Sequence, residues 1–219
     1  MSPAMDEVKR LRLPADEAAV RSLRAGDMVI LDGEVVLCAG MTTHQRVAQA
    51  IRQGGKLPID LRGAALLHLG SYSEEVDGHF RLRYLNPTTS TRFNDFMPDI
   101  IASQGLRVVG GKGGLDARSV AALRASPCVY LSFLGGGCTM LSRALREVIA
   151  VEWAELVPHY RLVKVRVQGL GPATVGIDAH GCSLYDNLAQ QAAQRLPEIM
   201  AGLADARSRK GPPTGGVTS

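Results

Sequence analysis

The sequence predicts a mixed α/β domain. Three observations carry that prediction. Apolar runs of strand length alternate through the middle of the chain with stretches whose apolar residues recur at helical spacing. Hairpin-like turn signals flank this middle, so the sheet should be mixed rather than purely parallel. Twenty-four glycines and 11 prolines among 219 residues supply the turns that such a layered domain needs. Hydrophobic residues make up 46% and aromatics only 5%, so the core must be built from Val, Leu, Ile and Ala.

Residues 1–13 read as a loose arm. Pro14-Ala15-Asp16-Glu17 opens a short helix to about Leu23. MVIL (28–31) and EVVLC (34–38) read as two strands around an Asp32-Gly33 hairpin turn. Thr42 and Thr43 are placed to cap a helix that Gly54-Gly55 stops. AALLHLG (64–70) is a buried strand, and FRLRY (80–84) alternates like a half-exposed one. A helix follows from Asn94 to Gln104, with Pro98 in its first turn. LRVVGG (106–111) is a strand running into a glycine turn, ARSVAALRA (117–125) a helix, and CVYLSFL (128–134) a strand ended by Gly135-Gly136-Gly137. MLSRALRE (140–147) reads as helical. Strands then follow at 148–153, 161–168 and 172–178. A final helix is expected from about Leu184 to Asp205, kinked at Pro197, before a Gly/Pro/Ser-rich tail expected to be disordered. The domain organisation is therefore an arm and short helix over 1–23, one compact domain over 24–205, and a tail over 206–219.

Composition narrows the function classes. The net charge of +4 is spread along the chain, with small clusters at Lys9–Arg12 and Arg207–Lys210. There is no basic stripe interleaved with aromatics, which argues against nucleic acid as a partner. No apolar run approaches the roughly 20 residues needed to span a bilayer. The first residues have no apolar core of the kind found in secretory signals, so the chain is expected to be cytoplasmic. Cys38, Cys128, Cys138 and Cys182 lie at least ten residues apart. That spacing suits buried thiols rather than a metal or cluster site, so no metal ligand is expected in this chain.

Three segments could carry chemistry. Thr88-Thr89-Ser90-Thr91 enters a helical turn and leads to Arg92. Hydroxyls and free N–H groups at a helix start favour an anion, and arginine can grip a carboxylate with two hydrogen bonds. The same run also reads as an over-determined helix cap beside a surface arginine. In Gly110-Gly111-Lys112-Gly113-Gly114 the glycines let backbone approach a ligand while the lysine aims a charge at it; a plain strand-to-helix turn is the other reading. The spacing is not that of a P-loop. Gly135-Gly136-Gly137-Cys138-Thr139 could form an anion-binding nest or simply allow close backbone packing. His180, in a turn after a strand, reads as structural.

Taken together, PTTSTR (87–92), VVGGKGG (108–114), YLSFLGGGC (130–138), VEWAEL (151–156) and GPATVGIDAHG (171–181) resemble the β subunit of two-subunit class I fumarase and L-tartrate dehydratase. The resemblance covers about residues 24–188, and VEWAEL and IDAHG lean towards the tartrate dehydratase branch. It implies a swivelling β/β/α domain and an α subunit carrying a [4Fe-4S] cluster, which this chain does not hold. It also implies a small dicarboxylate substrate and, by analogy, a heterotetramer. By position, Thr88 matches the threonine that moves the carbon-bound proton, and Lys112 the second catalytic group. Thr89 and Arg92 match substrate-binding positions, with Gly111 and Gly113 flanking the lysine. The family's RDxxH segment is altered. Its arginine falls on His44, taken as a substrate-binding position, and its acidic and histidine positions fall on Gln45 and Ala48. Arg46 sits about 200° around the helix from His44 and cannot simply stand in. The glycine before PTTS is replaced by Asn86. The implied activity is reversible dehydration of a 2-hydroxy dicarboxylate. A non-catalytic regulatory or assembly subunit and a stand-alone anion-binding domain are the alternatives.

Overall fold

The computed structural model describes residues 8–210. The chain divides into two compact units, Met1–Ser183 and Leu184–Ser219. The first is mixed α/β, as expected. Its main sheet holds seven strands among the described residues, in the order β1 (Lys9–Arg12), β2 (Met28–Leu37), β3 (Ala65–Leu67), β6 (Val108–Gly111), β7 (Val129–Ser132), β9 (Leu162–Ile177) and β8 (Leu145–Glu152). Strands β1, β2, β3, β6 and β7 are parallel in sequence of pairing; β9 runs antiparallel to β7 and β8. β9 also pairs antiparallel with β2, from Met28↔Thr174 to Leu37↔Val163. The sheet thus closes on itself, and Leu31, Leu67, Val108, Leu131 and Val165 fill its interior without solvent contact. A separate hairpin joins β4 (Leu69–Val76) to β5 (His79–Pro87).

Helices cover this sheet where the sequence pattern placed them. α1 (Glu17–Ser22) is capped by Asp16, whose side chain accepts from the Ala19 N–H at 2.7 Å. α2 spans Met41–Arg52. α3 (Met97–Gln104) has Pro98 in its first turn and ends on left-handed Gly105. α4 (Ala117–Ala125) is capped by Asp116. The second unit contains α6 (Leu184–Lys210), with Pro197 inside it. Among the described residues no helix is long and apolar enough to cross a membrane.

Several expected elements differ. The loose arm contains β1, which pairs with β2 from Lys9↔Val29 to Arg12↔Asp32; residues 1–7 lie outside the described residues. No hairpin forms at Asp32-Gly33, because β2 runs straight through it. Gly33 serves a close approach instead: at φ +124° a Cβ there would stand 2.4 Å from the Leu13 carbonyl oxygen. The helix expected at 140–147 is short, as α5 (Cys138–Ser142), and Leu145 onward becomes β8. The free edge of β9 captures that segment, and Leu145, Val148 and Val151 pack against the core. The strands expected at 161–168 and 172–178 are one strand, β9. The α2 cap is Gly40 rather than Thr42 or Thr43, since Thr43 turns inward to donate to the Tyr160 carbonyl. The polar strand β4 was not expected; its turn, Asp77-Gly78, has both residues at positive φ, as a tight hairpin requires. α6 continues past Asp205 to Lys210, and the remaining tail residues, 211–219, lie outside the described residues.

Candidate functional site

Three parallel strands, β3, β6 and β7, end at one edge of the sheet, and the sequence motifs follow directly from them. β3 leads to His68, β6 to Lys112, and β7 to Phe133 and the glycine turn. Loops at the carboxyl ends of parallel strands are the usual place for a site in such folds. Backbone hydrogen bonds gather them: His68 N–H to Gly110 O at 2.6 Å, and Phe133 N–H to Gly111 O at 2.7 Å.

The hydroxyl run joins this edge from β5. Thr88 N–H donates to His68 O at 2.8 Å, Lys112 N–H to Thr88 O at 3.0 Å, and Ser90 N–H to Lys112 O at 2.8 Å. Thr89 and Lys112 are therefore partners in a short parallel bridge. Ser90–Phe93 then winds into a 3₁₀ turn that carries Arg92. The glycines around Lys112 make room for this junction. A Cβ on Gly111 would meet the Ser90 hydroxyl at 2.2 Å, and one on Gly113 would meet Thr89 Cγ2 at 3.3 Å. Lys112 Cδ lies 3.8 Å from where a Cβ on Gly135 would sit, so its side chain runs along the third glycine turn.

Thr88 and Arg92 wall a cleft of about 350 Å³. Its other walls include Tyr84 and Asn86 from the hairpin, Met41 at the start of α2, and His159 and Tyr160. The volume lies in the range of small-molecule sites. Thr88 and Lys112 are half-buried and Arg92 is exposed. Neither Arg92 nor Lys112 has an ion-pair partner among the described residues. Two uncompensated cations beside donor hydroxyls make this edge suited to an anion.

Of the sequence-predicted residues, the structure brings Thr88, Thr89, Lys112, Gly111 and Gly113 into one backbone junction and Thr88 and Arg92 into one cleft. His44 is placed elsewhere. It is fully buried beneath the cleft floor, stacked on Phe93 at 3.8 Å between ring centroids, with its Nδ1 2.8 Å from the Gly40 carbonyl. Burial pushes its pKa down to about 4 and keeps it neutral. Arg46 turns away to pair with Glu155 and lies 5.6 Å over the Trp153 ring. His180 is held in its turn by Asp178, whose carboxylate accepts its N–H at 2.9 Å.

Sequence reasoning missed the layer under the site. Ser90 Oγ is fully buried, accepts from the Tyr130 hydroxyl at 2.9 Å and lies 2.8 Å from His68 Nδ1. His68 and Tyr130 each sit inside apolar strand runs, where local pattern reads them as core. The faint signal was a histidine just past the end of β3 and a tyrosine within β7, on either side of β6.

Among the described residues, no group of three or more His, Cys, Asp or Glu side chains is arranged to hold a metal ion. Cys38 is sealed against His44 and Cys128 is buried in another strand region; burial pushes both thiols well up. These cysteines do not fit an iron-sulfur cluster, which needs converging thiolates.

Comparison with known proteins gives the family. The family model described as the fumarase C-terminus matches residues 2–188. The chain is 27% identical over 197 residues to the L(+)-tartrate dehydratase subunit beta of Escherichia coli K12, covering 90% of this chain and 96% of that one. It is 28% identical over 182 residues, 83% of this chain and 93% of the other, to a Methanocaldococcus jannaschii protein provisionally named L(+)-tartrate dehydratase subunit beta. A Geobacillus stearothermophilus protein provisionally named class I fumarate hydratase is 27% identical over 190 residues, 86% of this chain and 36% of its own length. With this match over most of its length, the chain belongs to the fumarase C-terminus family and is similar to the β subunit of L(+)-tartrate dehydratase.

Proposed function

We propose that this chain is the β subunit of a two-subunit hydro-lyase that reversibly removes water from a 2-hydroxy dicarboxylate of tartrate or malate type. The observation that carries this reading is the position of Thr88, which joins Lys112 through a backbone hydrogen bond and shares a cleft with Arg92, although Lys112 is not among the residues lining that cleft; both cations are free of acidic partners among the described residues. Similarity to tartrate dehydratase β subunits supports the substrate class and the need for an α partner. The [4Fe-4S] cluster that the resemblance implies would be held by that partner, because this chain's cysteines do not fit it.

In this reading Arg92 takes one substrate carboxylate with two parallel hydrogen bonds. Lys112 places its ammonium near the same anion. Thr88 Oγ1, as its alkoxide, takes the proton from carbon while the hydroxyl group leaves the neighbouring carbon as hydroxide with the bonding electrons. The hydroxide then takes that proton from Thr88 and departs as water, which restores the alkoxide, and hydration runs the same steps in reverse. A threonine hydroxyl is a weak base, so its charged form needs the two cations at the junction. The cleft opens beside these groups, on the side where a partner would complete the site.

The test is to produce the chain alone and with its α subunit under anaerobic conditions, and to assay tartrate and malate. The chain alone is expected to be colourless and inactive, and the pair active. Arg92→Ala is expected to raise KM for the dicarboxylate. Full activity of the isolated chain without iron would overturn the reading. So would a pair whose activity ignores Arg92→Ala, since that is what a regulatory subunit would give.

A further inference from the structure

Ser90 is the one member of the hydroxyl run that points inward. It lies between the two threonines and Arg92, yet it has no solvent contact. Tyr130, from the middle of β7, donates its hydroxyl proton to Ser90 Oγ at 2.9 Å. His68, just past the end of β3, places Nδ1 2.8 Å from the same oxygen. Both rings are fully buried. With Tyr130 donating, the arrangement that uses the serine proton sends it to His68 Nδ1.

Such a network is costly to bury. His68 Nε2 has no hydrogen-bond partner among the described residues, and the ring lies tilted beside the stacked His44–Phe93 pair, 5.1 Å and 4.8 Å from their centroids. Apolar side chains of similar shape would fill these positions without that cost. β6 is also shaped around the network, because any Cβ at Gly111 would strike the serine oxygen. A stability role leaves these choices unexplained, whereas a positioning role accounts for them.

What the network can position follows from the backbone. Two hydrogen bonds tie residues 88–90 to Lys112, and these set the register of the bridge. They leave free the pitch at which the 3₁₀ turn departs with Arg92. Pinning Ser90 from below, at two points on two strands, removes that freedom.

We propose that Ser90, Tyr130 and His68 form a positioning triad that holds the Thr88–Arg92 turn at its working angle against Lys112. The inference rests on the hydro-lyase reading, because it assigns the triad to that reaction. None of the three touches substrate; each acts through Thr88 and Arg92.

The experiment uses the αβ holoenzyme with the dicarboxylate it turns over. The variants are Tyr130→Phe, which removes one oxygen, Ser90→Ala, His68→Leu and His68→Asn, whose amide can reproduce the bond from Nδ1. Tyr130→Phe and Ser90→Ala are expected to lower kcat per folded enzyme about tenfold or more, with KM within about twofold and Tm close to wild type. The double variant should lose no more than the worse single one, since the groups act as a unit. His68→Asn should retain most of the rate that His68→Leu loses. Wild-type kcat in folded Tyr130→Phe and Ser90→Ala would overturn the proposal while leaving the hydro-lyase reading intact. Equal loss in His68→Asn and His68→Leu, or multiplicative losses in the double variant, would also overturn it. A wild-type holoenzyme that dehydrates no hydroxy acid would overturn the reading itself, and the proposal with it.

Discussion

Lys112 stands at the end of β6 with glycines on both sides and no ion-pair partner among the described residues. In the proposed reaction it meets charge that develops on substrate beside Thr88, at an edge from which a docked partner excludes water. Lys112→Ala is expected to lower kcat/KM at least about 100-fold in the αβ enzyme, measured by steady-state kinetics, while Tm stays near wild type. His44 contributes to stability rather than to the cleft. Its pKa is lowered to about 4 by burial, and that of His68 is lowered too, first by burial and then by His44. In the unfolded chain both titrate near 6.5. As pH falls through that value the unfolded chain binds protons that the folded chain refuses, so stability is complete above about pH 6.5 and declines towards pH 4. For His44 the loss is on the order of 3 kcal/mol once pH 4 is reached. Urea midpoints between pH 7.5 and 4.5 check this, and a His44→Phe variant should show a flatter profile.

At the scale of elements, the hairpin of β4 and β5 decides the shape of the cleft, because it brings Tyr84 and Asn86 to the wall opposite α2. A two-stranded hairpin is marginal by itself. This one is tied down by Arg161, whose guanidinium donates to the Ser73 carbonyl at 3.1 Å, the Ser73 hydroxyl at 3.0 Å and the Leu156 carbonyl at 3.1 Å. The same group lies 5.9 Å over the Phe80 ring. Arg161→Ala is expected to weaken amide protection across residues 69–87 about tenfold and leave β6 and β7 unchanged, as hydrogen exchange would report. Arg46, Glu155 and Trp153 make a comparable tie between α2 and the segment after β8. With these partners Arg46 is not among the residues that line the cleft.

At the scale of the whole molecule, the closed sheet sorts the four thiols. Cys38 and Cys128 are sealed inside, with their thiols pushed up by burial, whereas Cys138 is half-buried and Cys182 exposed. A maleimide reagent at neutral pH is expected to modify Cys182 first and Cys138 more slowly. Cys38 and Cys128 should react only after denaturation, and peptide mapping by mass spectrometry checks the order. Rapid native labelling of Cys38 would mean that the sheet does not close between β2 and β9.

The fold class and most helices were legible in the sequence, as were the residues of the proposed site. Alternating apolar periods, the Pro14–Glu17 helix start and glycine turns after strands are local signals, and local physics reads them correctly, whereas the cap read at Thr42 or Thr43 falls on Gly40. The two motifs that carry Thr88, Arg92 and Lys112 were legible for the same reason. Tertiary structure alone decided what those parts face. Gly33 looked like a turn residue and proved to be a contact with Leu13, which no local pattern encodes. Residues 145–147 had helical spacing, yet the open edge of β9 made them a strand. His44 was placed by position in the site and lies below it, because Phe93 covers its ring. Ser90 resembled its exposed neighbours until Tyr130 and His68, 40 and 22 residues away in sequence, drew it inward. In each case the deciding partner is remote along the chain, so the outcome depends on closure of the sheet and not on any short window of residues.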